Sequence, residues 1–234
     1  MTYVFSPAPL PSLPVQGTDA RFPVRRIFCV GRNYADHARE MGATAQADGL
    51  EPPFFFMKPA DAVVAGEGEI AVAYPPQTNN LHHEMELVVA LGGGGADIPE
   101  DKALDCVYGY TAGLDLTRRD IQGKAKEKGH PWDMGKGFDQ SAVAGVVQPV
   151  ALCGHPSAGR IWLKVNGEMR QDGDLSQMGW KVAQIIANLS QSVRLAAGDL
   201  IYTGTPAGVG PVVPGDVLEG GIDGVCGLKA RIVG

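Results

Sequence analysis

Glycine restricts this chain more than any other residue: 32 of the 234 positions are glycine, about twice the ~7% of ordinary proteins. Set among short Val/Ile-rich runs and 17 prolines, that frequency implies many tight turns between short strands. The expected fold class is therefore β-rich α+β with few helices rather than a helical bundle. A chain of 234 residues is long enough to bury a sizeable core in one domain. Pro7, Pro9, Pro11, Pro14 and Pro23 prevent regular helix over residues 1–24 and predict an extended arm, leaving 25–234 as a single domain.

The formal charge of -6 is spread over interspersed acidic and basic residues, without a basic patch, which argues against nucleic acid as a partner. Cys29, Cys106, Cys153 and Cys226 are scattered, with neither a CxxC pair nor histidines at zinc spacing. No stretch approaches the ~18 apolar residues of a membrane span, and the N-terminus has no charged start followed by an apolar core. The location expected is cytoplasmic.

Along the chain, Ile27–Val30, Phe54–Met57 and Cys106–Leu116 read as strands, and Asn33–Met41 as a short helical turn. The small, polar and prolyl loop 42–53 has the composition of a lid. Thr117 is expected to cap a helix with Asp120 in the capping-box position, which puts Arg119 and Gln122 on one face. Ile161, Leu163 and Val165 alternate ahead of Asn166-Gly167, a hairpin signal. Ser176 is a candidate cap for a helix whose Val182, Ile185, Ile186 and Leu189 make an apolar stripe.

The most informative local pattern is Leu81-His82-His83-Glu84-Met85-Glu86-Leu87. In a strand, Glu84, Glu86 and Val88 share a face, so two carboxylates stand side by side and resist joint ionisation unless a cation is present. The spacing leaves two readings open: an exposed acidic edge strand, or part of a cation site.

Four blocks in order carry more than any one alone: GRNYADHAREMG (31–42), HHEMELVVALG (82–92), GLDLTRRDIQGKAKEKGHPWDMGKGFD (113–139) and GDLIYTGTPAGVG (198–210). Together they resemble the fumarylacetoacetate hydrolase family, in particular its bacterial acylpyruvate and fumarylpyruvate hydrolase branch. The resemblance implies mixed β-sheets rolled into a sandwich-like barrel with peripheral helices, a homodimer, and Mg2+ with Mn2+ or Ca2+ as substitutes. By matched position it implies Glu84, Glu86 and Asp115 as metal ligands, a donor set that a hard cation prefers. It implies His37 and Glu40 as a general-base dyad, Arg119, Gln122 and Lys136 near the reacting carbonyl, and Thr205 on a substrate carboxylate. It leaves His82 and His83 outside the ligand shell. The i, i+3 spacing of His37 and Glu40 allows a carboxylate to orient an imidazole.

The activity implied is hydrolysis of a carbon–carbon bond in an acylpyruvate, fumarylpyruvate to fumarate and pyruvate, a step of aromatic-compound catabolism acting on a small keto-acid substrate. Oxaloacetate decarboxylation and isomerisation of an unsaturated keto acid use the same enolate chemistry and stay open, as does a non-catalytic metal- or keto-acid-binding module. Lys58, Arg32 and Lys124 are candidates to meet a distal carboxylate.

Overall fold

Residues 2–42 and 52–234 are described in the structure, a computed structural model; the 42–53 lid expectation falls mainly on residues 43–51, outside them. The glycine- and proline-punctuated sequence folds into short strands that, among the described residues, make four sheets. The largest has eight strands, seven of them in the order Phe54–Lys58, Arg26–Gly31, Asp199–Tyr202, Met85–Leu91, Val107–Asp115, Ala142–Ala144 and Val63–Ala65. It is mixed: Asp199–Tyr202 runs parallel to Arg26–Gly31 and antiparallel to Met85–Leu91. A five-stranded sheet, ordered Glu168–Asp174, Arg160–Val165, Val217–Ile222, Cys226–Val233 and Glu69–Ala73, is the second layer.

The strand Met85–Leu91 is buried along its whole length because both of its faces are covered. Leu87, Val89 and Leu91 join Ile161 and Leu163 of the second sheet in the larger core, while Val88 and Ala90 pack with Leu200, Tyr202, Leu13 and Phe22 on the opposite face. Glu86 lies on the side of Val88, as strand alternation requires. The edge-strand reading of the Glu84/Glu86 pair is thereby overturned, since the strand has a hydrogen-bonded neighbour on each side. The N-terminal segment is not only laid over the body. Ser12–Pro14 pairs with Arg21–Pro23, and Leu13, Val15, Phe22 and Val24 are buried in the smaller core.

The hairpin at Asn166-Gly167 forms as its sequence predicts, with both residues at positive φ, 53° and 83°. Two capping expectations fail. The helix after Asp115 begins at Arg119, Thr117 pairs with His82 in a two-residue strand, and its hydroxyl reaches the Asp115 carbonyl (3.2 Å) and Glu84 Oε1 (3.3 Å). Asp120 accepts instead from Thr78 Oγ1 at 2.6 Å, so the site and a neighbouring turn claim both capping partners. The apolar-striped helix spans Val182–Ser192 behind Lys181, and Ser176 lies in a separate turn, Leu175–Gln177, capped by Asp174.

Candidate active site

The end of the buried acidic strand, the end of its neighbour and the helices Ala35–Glu40, Arg119–Lys128 and Asp133–Lys136 converge on one pocket. Its walls include His37, Phe56, Glu84, Glu86, Asp115, Arg119, Gln122, Lys136, Gly204 and Thr205. Glu84 sits in the break between the strands Leu81–His83 and Met85–Leu91, and Asp115 closes Val107–Asp115. The cross-strand hydrogen bond from Asp115 N to Glu84 O, 2.9 Å, holds those two residues together, and strand alternation brings Glu86 alongside. Carboxylate oxygens of all three lie within 4.8 Å of one another, and all three residues are buried.

Three buried carboxylates need countercharge, and this chain supplies part of it. Lys136 Nζ bridges Glu84 Oε2 at 2.8 Å and Asp115 Oδ2 at 2.7 Å. Arg119 Nη2 stands 2.5 Å from Glu84 Oε1, and Lys58 Nζ 2.8 Å from Asp115 Oδ1. Burial works against ionisation of Glu84, yet Lys136 and Arg119 outweigh it and hold its carboxyl far below the usual range. Burial likewise opposes charge on Lys136, but Asp115 and Glu84 push its ammonium up.

Glu86 is different. Among the described residues no cation stands within ion-pair distance of it, and Oε2 accepts only the Gly204 N–H, at 2.7 Å. Burial and the neighbouring Asp115 and Glu84 push its carboxyl well above the ordinary value. Gly204 can deliver that N–H because it adopts φ 95°, and a Cβ there would lie 2.7 Å from the Asn33 Cβ. An all-oxygen donor set with one carboxylate short of a countercharge fits a hard divalent cation, with Glu84, Glu86 and Asp115 as the residues that would hold it.

His37, buried on the helix Ala35–Glu40, lines the same pocket. Its Nδ1 is 3.5 Å from Glu40 Oε2, an ion-pair distance rather than a formed hydrogen bond. Glu40 is itself positioned by the Gly208 N–H, 3.3 and 3.2 Å from its two oxygens. Burial lowers the His37 pKa, and Arg119 adds to the effect, so the imidazole is neutral near pH 7 with a lone pair to take a proton.

Arg119, Gln122, Lys136 and Thr205 also line the pocket, though not all in the posture foreseen. Arg119 Nη1 donates to Gln122 Oε1 at 2.7 Å, a contact their shared helix face permits. The Thr205 hydroxyl donates to Met85 O at 2.8 Å and accepts from Gln171 Nε2 at 2.7 Å, so it would have to turn from Met85 to donate to a substrate carboxylate. His82 and His83 bond to Asn80 and Gln171 and, among the described residues, belong to no group of metal-competent residues. Lys58 is not at a distal end: it is buried against Asp115, and its Nζ donates to the Leu116 and Lys136 carbonyls. Lys124 is exposed and off the pocket wall, whereas Lys126, four residues after Gln122, is on it.

Sequence reasoning missed the supports. Gln171, from the second sheet, accepts the Met85 N–H at 3.0 Å and donates to Thr205 and to Pro206 O, locking the acidic segment to the TGTP turn. Asn33 donates to Thr203 O at 2.8 Å and accepts from Trp180 N at 2.7 Å. Asn33 lies inside a quoted block, but Gln171 sits in a polar hairpin strand whose pattern carries no signal of the contact.

A buried carboxylate triad with built-in cations, beside a neutral imidazole, on two packed β-sheets defines a divalent-metal enzyme. The fumarylacetoacetate (FAA) hydrolase C-terminal family model matches residues 26–233, so the chain belongs to the fumarylacetoacetate hydrolase family. It is 46% identical over 208 residues to the mitochondrial oxaloacetate tautomerase FAHD1 of Mus musculus, covering 89% of this chain and 91% of the relative. To fumarylpyruvate hydrolase of Ralstonia sp it is 44% identical over 183 residues, 78% of this chain and 94% of the other. The crystal structure of fumarylpyruvate hydrolase from Pseudomonas aeruginosa in complex with Mn2+ and pyruvate superposes with a TM-score of 0.96 at 50% identity, covering 99% of both chains. The fold is thus β-rich with few helices, as the composition predicted, and matches the rolled sheets that the resemblance implied. Among the described residues no helix is long and apolar enough to cross a membrane.

Proposed function

We propose that this chain is a cytoplasmic, homodimeric acylpyruvate hydrolase that uses Mg2+, or Mn2+ in its place, to convert fumarylpyruvate and water to fumarate and pyruvate. The observation that carries the reading is the placement of His37, buried and neutral, on the wall of the pocket that holds the carboxylate triad. Similarity to fumarylpyruvate hydrolases over nearly the whole chain supports the choice of substrate.

When bound at Glu84, Glu86 and Asp115, the divalent cation supplies Lewis-acid polarisation and a template for the keto-acid end of the substrate. His37, its ring oriented by Glu40, takes a proton from the attacking water. Arg119, Gln122 and Lys136 present N–H donors to the oxyanion that forms at the attacked carbonyl; one such donor is worth about 3 kcal/mol. Collapse of the oxyanion breaks the carbon–carbon bond, leaving fumarate and expelling pyruvate as its enolate, whose carbon takes the proton held by His37. Lys136 also keeps Glu84 ionised, and therefore able to act as a ligand, and it hydrogen-bonds Asp115 from the same position.

A second reading is favoured by the similarity to oxaloacetate tautomerases: proton transfer at a keto-acid carbon in the same pocket, with no carbon–carbon bond broken. The deciding experiment follows pyruvate release from fumarylpyruvate with Mg2+, with Mn2+ and with EDTA, beside the enol-to-keto conversion of oxaloacetate. Metal-dependent pyruvate release supports the hydrolase. Rapid tautomerisation with no pyruvate release would replace it with the second reading.

A further inference from the structure

Beyond the carboxylate triad the same pocket holds a second concentration of charge that the reaction steps leave unused. Arg32, in the turn after the strand Arg26–Gly31, and Lys126, on the helix Arg119–Lys128, both line it. Among the described residues neither has an ion-pair partner. Each lies against an aromatic ring instead, with Arg32 Cζ 5.8 Å from the Phe54 centroid and Lys126 Nζ 5.2 Å from that of Trp132. Those two rings meet edge to face, 5.5 Å apart at 85°. Phe56 continues the wall 5.9 Å from Trp132, and Lys136 Nζ stands 4.9 Å over the Phe56 ring. Phe56 and Trp132, both on the pocket wall, thus link Lys136 at the triad to Lys126, and Phe54 carries the contact on to Arg32.

Several features of this arrangement oppose stability. Arg32 holds φ 57°, in the left-handed region that long side chains avoid. Phe54 lies so close to Gly31 that a Cβ on Gly31 would fall 2.1 Å from the ring, so the wall exists only because that residue is glycine. Burial, with Arg32 and Arg119 nearby, outweighs the attraction of Glu84 and lowers the Lys126 pKa to about 8.

We propose that Arg32 and Lys126, at the end of the Phe54–Trp132 wall, form a distal anion subsite that selects keto acids carrying a second carboxylate on a flat, unsaturated acyl chain. The planar chain would lie along the rings while its terminal carboxylate meets the guanidinium and ammonium. The assignment deepens the acylpyruvate reading and rests on it for the position of the keto-acid end at the triad.

The test compares kcat/KM for fumarylpyruvate, which carries the distal carboxylate, with that for acetylpyruvate, which lacks it, in wild type, Arg32→Gln and Lys126→Met. A charge-assisted contact of ordinary strength predicts that the fumarylpyruvate-to-acetylpyruvate ratio falls about ten-fold or more in each variant, mainly through KM for fumarylpyruvate. A ratio unchanged within about two-fold in both would overturn the subsite. Calorimetry on the Mn2+-loaded wild-type protein then compares fumarate with crotonate, in which a methyl replaces one carboxylate, and a clear preference for fumarate is expected. If wild type releases pyruvate from neither substrate, the hydrolase reading fails, while the fumarate-over-crotonate preference still decides the subsite. Equal affinity for the two acids sinks the subsite even where hydrolysis is intact, and also decides the matter should either variant fail to fold.

Discussion

The Lys136 ammonium stands 2.7 Å from Asp115 Oδ2 in an environment where both residues are buried, and it reaches Glu84 from the same position. A lysine so placed keeps Glu84 charged and, in the proposed reaction, leaves a donor beside the attacked carbonyl. Removing one partner of such a buried group leaves the others uncompensated, at a penalty of ~3–5 kcal/mol. Lys136→Met is therefore expected to lower the thermal midpoint of the metal-free protein and to cut turnover by about a hundred-fold or more through loss of the oxyanion donor. Calorimetric unfolding with and without Mn2+, together with kcat at saturating metal, checks both. Wild-type turnover would remove Lys136 from the chemistry.

Glu86→Gln separates ligand from scaffold. The amide oxygen can still accept the Gly204 N–H, while the like-charge crowding with Asp115 and Glu84 is gone. Metal affinity is expected to fall at least about ten-fold, with metal-free stability unchanged or higher by ~1 kcal/mol. Titration calorimetry with Mn2+ and denaturant unfolding report the two quantities separately. Undiminished Mn2+ affinity would refute Glu86 as a ligand.

The pH dependence follows from His37, whose pKa is lowered chiefly by burial. The active form is the neutral imidazole, so activity is retained as pH falls past 6.5, the ordinary value, and is lost only at lower pH. A bound divalent cation adds positive charge and moves the limb the same way. A pH profile of kcat/KM should place the acid limb below 6.5 in wild type, with hydrolysis reduced about a hundred-fold or more in His37→Gln. An acid limb above the ordinary histidine range would contradict the assignment.

Gly204→Ala tests the backbone of the site. The added Cβ must be accommodated 2.7 Å from Asn33 Cβ at φ 95°, an expected loss of ~1–3 kcal/mol. Because the same residue donates to Glu86, weaker Mn2+ binding should accompany the loss of stability. Denaturant unfolding of the metal-free variant measures the first effect and a Mn2+ titration the second. Wild-type values in both would remove the backbone role.

Local chemistry was legible wherever neighbours along the chain decide it. Asn166-Gly167 made its hairpin because left-handed backbone is inexpensive for those two residues, and the stripe from Val182 to Leu189 made a core-facing helix because its period matches the helix turn. The caps misread at Thr117 and Ser176 failed for a reason outside the local pattern: Thr117 is drawn to Glu84 and Asp115, and Ser176 belongs to a turn of its own.

The acidic pair divides the two kinds of information most clearly. Strand alternation put Glu84 and Glu86 on one face, and helix spacing put Arg119 beside Gln122, because both periods are properties of the backbone itself. Whether those carboxylates faced water or a buried cation site depended on groups far away in sequence. Lys58, Lys136 and Arg119 supply countercharge to Glu84 and Asp115, while Gly204 gives Glu86 an N–H and no charge. For the same reason Lys58 sits on Asp115 rather than at a distal end, and Lys126 rather than Lys124 reaches the pocket wall. A side chain's charge and reach are written at its own position, whereas its partner and the water it loses are set by how distant strands and helices pack.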